Sequence, residues 1–187
     1  MVLAGPSGVG KGAIVSRLLA ARPDLELSVS ATTRPARPGE VEGRHYYFVD
    51  SDTFDRLVAA DGLLEWAEIF GNRYGTPREP VERALAAGRD VVVEIDVQGA
   101  RQVRDACPDA FMVFIKPPSL AELERRLRLR STETDEQVRR RLAKASEELA
   151  AEPEFDVTVV NDVLDKAALE VIDILDDLRR RTMKSPR

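Results

Sequence analysis

Gly5-Pro6-Ser7-Gly8-Val9-Gly10-Lys11-Gly12 follows a short apolar run, Val2-Leu3-Ala4, and leads into a helix-forming stretch. Glycines at 5, 8 and 10 let the backbone turn tightly and approach a polyphosphate with no Cβ in the way, so that successive N–H groups point inward at anionic oxygens. The following helix adds its positive N-terminal end, and Lys11 adds a mobile ammonium. Strand, loop, lysine and helix in this order are the G-x-x-x-x-G-K phosphate loop, and they make residues 5–12 candidates for holding a nucleoside triphosphate. The pattern departs at Gly12, where a Ser or Thr hydroxyl ordinarily ligates Mg²⁺.

The 187 residues suit a single domain, and 43% hydrophobic content is enough to bury a core. A net charge of −5 argues against a global attraction to nucleic acid, so anions must be met by local clusters of cations. Lysine occurs only at 11, 116, 144, 166 and 184, and nearly all positive charge is therefore arginine, which can fork onto phosphate. One cysteine, Cys107, and one histidine, His45, rule out a Cys/His metal cluster and any disulfide within one chain. No apolar run is long enough to cross a bilayer, and the N-terminal residues look functional rather than cleavable, so a cytoplasmic location is expected.

The pattern of strands and helices alternates. Strands are expected over residues 25–31, 45–49, 63–70, 91–96, 111–115 and 157–160, with helices over 51–61 and 77–87 and others starting near Ser119, Asp135 and Asp165. Residues 32–44, rich in Pro, Gly and Arg, read as a loop. The run Val91-Val92-Val93-Glu94-Ile95-Asp96 suits a strand buried on both faces and ending in acids at a site. An open, mainly parallel α/β sheet flanked by helices follows, with ligands at the carboxyl ends of the strands.

Thr32-Thr33-Arg34-Pro35-Ala36-Arg37-Pro38-Gly39-Glu40, continuing through Gly43-Arg44-His45-Tyr46-Tyr47-Phe48, resembles the signature of the guanylate kinases. Further matches are Leu64-Glu65-Trp66-Ala67-Glu68, Gly71-Asn72-Arg73-Tyr74-Gly75-Thr76, Glu94-Ile95-Asp96-Val97-Gln98-Gly99, Pro117-Pro118-Ser119 and Val160-Asn161-Asp162, so the resemblance covers essentially the whole chain. It implies the P-loop nucleoside monophosphate kinase fold and the reaction ATP + GMP giving ADP + GDP, with dGMP as a further acceptor and Mg²⁺ accompanying ATP. It also implies a core (residues 1–31, 88–123 and 150–187), a GMP-binding subdomain (32–87) and a lid (124–149). The opening strand, with four residues before Gly5, is shorter than the family's. The expected partners are small nucleotides, with no nucleic acid, membrane or obligate protein.

The roles implied for individual residues are chemically sound. Arg34 and Arg37, on a proline-stiffened loop, can fork onto a nucleotide phosphate, and the phenols of Tyr46 and Tyr74 can add hydrogen bonds. Glu65 can accept from both the N1–H and the amine of guanine, whereas adenine presents an acceptor at N1. Ser30, Thr76 and Glu94 match positions around the base. In the lid, Arg130 and Arg141 match the arginines that reach the transferred phosphate, while Arg125, Arg126, Arg128, Arg139 and Arg140 read as solvated helix faces. Asn161 and Asp162 match a position near adenine, or else an ordinary helix entry. Asp96 is the acidic candidate for Mg²⁺ through water, and is equally suited to cap the helix starting near Val97.

Two other readings share these features. A phosphopeptide-binding module could use the same Arg and Tyr clamp, but the intact lysine-bearing loop argues against it. A kinase for another phosphorylated acceptor, such as a ribose bisphosphate, could use the same fold, and Glu65 argues against that.

Overall fold

The computed structural model describes residues 1–69, 71–129 and 135–184, with side chains to residue 181. In chain order the elements are β1 (Val2–Ala4), α1 (Lys11–Ala21), β2 (Glu26–Leu27), β3 (Ala31–Thr32), β4 (Tyr47–Phe48), α2 (Ser51–Ala59), β5 (Leu63–Ile69), β6 (Asn72–Pro77) and α3 (Arg78–Ala86), then β7 (Val91–Glu94), α4 (Val97–Ala106), β8 (Met112–Lys116), α5 (Leu120–Leu129), α6 (Asp135–Leu149), β9 (Val157–Val160) and α7 (Leu164–Lys184).

Five strands in the order β2-β7-β1-β8-β9 form a sheet whose pairs are all parallel. Strand β1 lies at its centre, and the two-residue period of a strand splits its side chains between two cores. Leu3 joins Ile14, Leu18, Val171 and Leu175 under α1 and α7, while Val2 and Ala4 join Val81, Ala84, Ala100 and Val103 under α3 and α4. Leu18 is fully buried, and truncation to Ala would cost about 2–5 kcal/mol. The loops after β1 and β7 both leave the carboxyl edge of this sheet, where a doubly wound sheet opens its ligand crevice.

A second sheet, in the order β4-β3-β6-β5, stands apart from the first. It is mixed, with β3 parallel to β4 and antiparallel to β6, and β5 antiparallel to β6. The strand expected over 25–31 is therefore two short strands in different sheets. Ser28 N–H still pairs with Val92 of the first sheet, and two residues later Ser30 carbonyl accepts from Tyr47 of the second. Strand β6 was expected only as a motif, because Gly75 and Pro77 disguise it. Strand β7 ends at Glu94, two residues earlier than expected, because Asp96 caps α4 by accepting the Gly99 N–H at 2.8 Å.

Candidate active site

The loop between β1 and α1 is held open from behind. Gly10 adopts φ 98°, and a Cβ there would lie 2.6 Å from the Asn161 amide nitrogen, so only glycine satisfies both conformation and space. Asn161, buried at the end of β9, donates from Nδ2 to the Val9 carbonyl at 2.8 Å. Its side chain thus braces the phosphate loop, while Asp162 beside it is exposed. Among the described residues no side chain caps the first turn of α1, whose N–H groups remain available to an anion.

Lys11 folds back on this loop, donating to the Gly5 carbonyl at 2.6 Å and the Pro6 carbonyl at 3.3 Å. Burial pushes its pKa down, and the charges of Glu94, Glu148 and Asp96 act against that shift. Glu94, at the end of β7, has its carboxylate 3.6 Å from where a Cβ on Gly12 would stand. Burial raises its pKa, Lys11 lowers it, and its charge also reaches Tyr46. Glu94 is thus linked electrostatically both to Lys11 of the phosphate loop and to Tyr46 of the tyrosine cluster.

The signature loop builds that cluster. Arg34 forks onto Glu40, with Nη2 to Oε1 at 2.8 Å and Nη1 to Oε2 at 3.0 Å, and Nη1 also donates to the Pro35 carbonyl at 2.7 Å. Its guanidinium lies 5.3 Å from the Tyr46 ring centre and 5.9 Å from that of Phe48, and Glu40, with help from the Tyr74 phenol, raises its pKa. The Tyr46 and Tyr74 rings meet edge to face at 5.9 Å. Arg37 is exposed, with its backbone N–H donating to Glu40 at 2.7 Å. Ser30 precedes β3 and is half-buried.

Glu65 and Thr76 face each other across β5 and β6, both buried, with Thr76 Oγ1 donating to Glu65 Oε1 at 2.7 Å. Burial pushes the Glu65 pKa up to about 7 despite that hydrogen bond, and the Asp96 charge adds to the rise. Asp96 also stands 3.8 Å from Lys144 of α6.

Helices α5 and α6 bring cations to the loop from the other side. Arg141 is half-buried on α6; Arg130 falls outside the described residues. Arg126 is a correction to the solvated reading. It is half-buried, paired with Glu122 at 2.7 Å, and within 3.4 Å of the Val9 and Asp162 carbonyls. Glu148, on the inner side of α6, is buried, its Oε2 has no hydrogen-bond partner among the described residues, and burial raises its pKa. Sequence reasoning missed Glu40, Arg126 and Glu148 as site residues. The i, i+4 spacing of Glu122 and Arg126 was the only local signal, and burial is not legible from it.

A glycine loop and lysine at the carboxyl edge of a parallel sheet, opposite an arginine–tyrosine cluster, define the class: a P-loop phosphotransferase of the nucleoside monophosphate kinase fold. The profile of the guanylate kinase family matches residues 1–178. The chain is 64% identical over 166 residues to a guanylate kinase of Synechococcus sp. (strain CC9902), covering 89% of each chain. It is 59% identical over 174 residues to one of Thermobifida fusca (strain YX), covering 93% of this chain and 89% of the relative. The crystal structure of a guanylate kinase from Anaplasma phagocytophilum superposes with a TM-score of 0.78 at 36% identity, covering 94% of this chain and 83% of that one. A gluconokinase structure from Sinorhizobium meliloti 1021, at 17% identity and a TM-score of 0.54, shares the fold alone. The chain belongs to the guanylate kinase family and phosphorylates GMP to GDP with ATP.

Proposed function

We propose that the two nucleotides meet between the two sheets, GMP on the second sheet and its signature loop, ATP on the phosphate loop. The observation that carries this division is the pairing of a cation–phenol cluster at Arg34, Tyr46 and Tyr74 with a buried carboxylate at Glu65 on one sheet. Together they match the two ends of GMP, a dianion and a base with two adjacent donors. Arg34, Arg37, Tyr46 and Tyr74 receive the phosphate; Glu65 and Thr76 receive guanine, with Ser30 and Glu94 near it. The same contacts are open to dGMP. Residues 32–87 then act as the GMP-binding subdomain, 124–149 as the lid, and 1–31, 88–123 and 150–187 as the core.

On the donor side, the backbone of residues 5–12 cradles the phosphates and Lys11 swings from its own loop carbonyls onto them. Arg130 and Arg141 add charge at the transferred group, and Asn161 keeps the loop in shape beside Asp162 and the adenine. Transfer between phosphates needs alignment and neutralisation more than covalent help.

Family membership implies a divalent metal with ATP, and the residues present accommodate Mg²⁺. Gly12 and Ala13 offer no hydroxyl, but Glu94, Asp96 and Glu148 surround Lys11 with negative charge, and Glu148 Oε2 is buried with no hydrogen-bond partner among the described residues. Asp96 would hold such an ion through water, with phosphate oxygens and water supplying the rest of its shell. When bound, such an ion would supply charge neutralisation at the phosphates. The absence among the described residues of any helix long and apolar enough to cross a membrane leaves a cytoplasmic role as our reading, together with a single unpaired cysteine.

Coupled turnover with ATP against GMP, dGMP, AMP, UMP and a ribose bisphosphate tests this. Strong preference for GMP and dGMP is expected. Turnover of the ribose bisphosphate without GMP, or binding of GMP without turnover, would overturn it.

A further inference from the structure

We propose that helix α4 sets guanine specificity through two positioning residues, Gly99 and Gln102, which fix the seat of the Glu65 carboxylate. This rests on the reading of Glu65 as the acceptor of guanine.

The two residues are three apart and share one face of α4, the face that packs on β5. Gly99 is buried, and a Cβ there would stand 2.4 Å from Glu65 Oε2 and 3.0 Å from its Cδ. The carboxylate thus occupies the volume that any other side chain at 99 would fill. Thr76 holds Oε1 from the opposite side at 2.7 Å. Hydroxyl and helix thus bound the carboxylate from two sides.

Gln102 fixes the strand that carries it. Its Oε1 accepts the Trp66 N–H at 3.1 Å and its Nε2 donates to the Trp66 carbonyl at 2.7 Å. Among the described residues β5 is the edge of its sheet, so these peptide groups face no neighbouring strand there, and the amide pairs with them as a strand would. Trp66 adjoins Glu65 in the chain, and locking one peptide unit fixes the direction of the next side chain. A carboxylate that must meet two donors of guanine at once tolerates little displacement, and discrimination falls with misplacement.

The test is kcat and KM for GMP and AMP, with saturating ATP, in the parent enzyme and in Glu65→Gln, Gly99→Ala and Gln102→Met. Methionine keeps the length of glutamine and removes both hydrogen bonds. Gly99→Ala is expected to lower kcat/KM for GMP about tenfold or more while AMP changes little, and Gln102→Met to lower the GMP-to-AMP ratio about threefold or more, with KM for ATP unchanged in both. If Glu65→Gln collapses the ratio but Gly99→Ala and Gln102→Met keep the parent's, the proposal is wrong and the reading of Glu65 stands. If Glu65→Gln keeps the ratio, both are wrong. Equal losses for GMP and AMP mean a merely structural role and also overturn it. Should Gly99→Ala not fold, Gln102→Met decides alone.

Discussion

Thr76 Oγ1 donates to Glu65 Oε1 at 2.7 Å inside the second sheet, yet burial still pushes the carboxyl's pKa up to about 7. One hydroxyl offsets only part of the desolvation of a buried anion. The remaining capacity of that anion to accept hydrogen bonds is what an incoming base with two adjacent donors can use.

GMP binding is therefore expected to depend on the ionisation of Glu65. Below pH 7 the protonated carboxyl cannot accept from both guanine donors, and KM for GMP should rise as pH falls through about 7. The GMP phosphate titrates nearby, at about 6. The Glu65→Gln variant is the control, since it keeps the phosphate's pH dependence and loses the limb near 7.

The same shift affects stability. The folded-state pKa of about 7 lies above the usual 4.5, so the folded protein binds the proton more tightly than the unfolded chain. Stability from this group falls as pH rises from about 4.5 to 7, by about 3 kcal/mol once fully ionised. Glu65→Gln should match the parent's urea midpoint near pH 4.5 and exceed it at pH 8. A midpoint below the parent's at pH 8 would show that the charge is not a burden on the fold.

Lys11→Ala should lower kcat about a hundredfold or more while leaving the fold intact, because it removes a cation aimed at developing charge. Lys11 donates to the Gly5 and Pro6 carbonyls of its own loop, so its loss removes local hydrogen bonds and leaves the packing of the two cores in place. Steady-state turnover with a circular dichroism melt checks both halves.

Arg34→Ala should raise KM for GMP about tenfold or more and leave KM for ATP nearly unchanged, since a hydrogen bond to a charged group contributes about 1.5–3 kcal/mol. Arg37→Ala should act in the same direction. Equal weakening of both substrates would assign the signature loop to the fold or to the donor side.

The strand, glycine loop and helix from Val2 to Ala21 were legible in the sequence because they are contiguous. The proposed acceptor half was legible only through family likeness. Glu65, Thr76, Gly99 and Gln102 come from a hairpin and a helix whose juxtaposition no periodicity records. The division of residues 25–31 between two sheets was hidden for a related reason, since alternation continues smoothly as the chain crosses from Leu27 to Ala31. Asp96 shows the opposite case: the capping role legible from its place before Val97 is the one its Oδ1 performs. Arg126 looked like every other arginine on its helix, and only packing against Val9 separates it.

The central claim, that Glu65 reads guanine while the arginine–tyrosine cluster holds its phosphate, is tested most directly by a crystal structure of the enzyme with a bisubstrate analogue joining guanosine and adenosine through phosphates. The account predicts guanine N1 and its exocyclic amine within hydrogen-bond distance of the Glu65 carboxylate, and the guanosine-side phosphate on Arg34, Tyr46 and Tyr74. Guanine seated away from Glu65, or that phosphate held elsewhere, would contradict it.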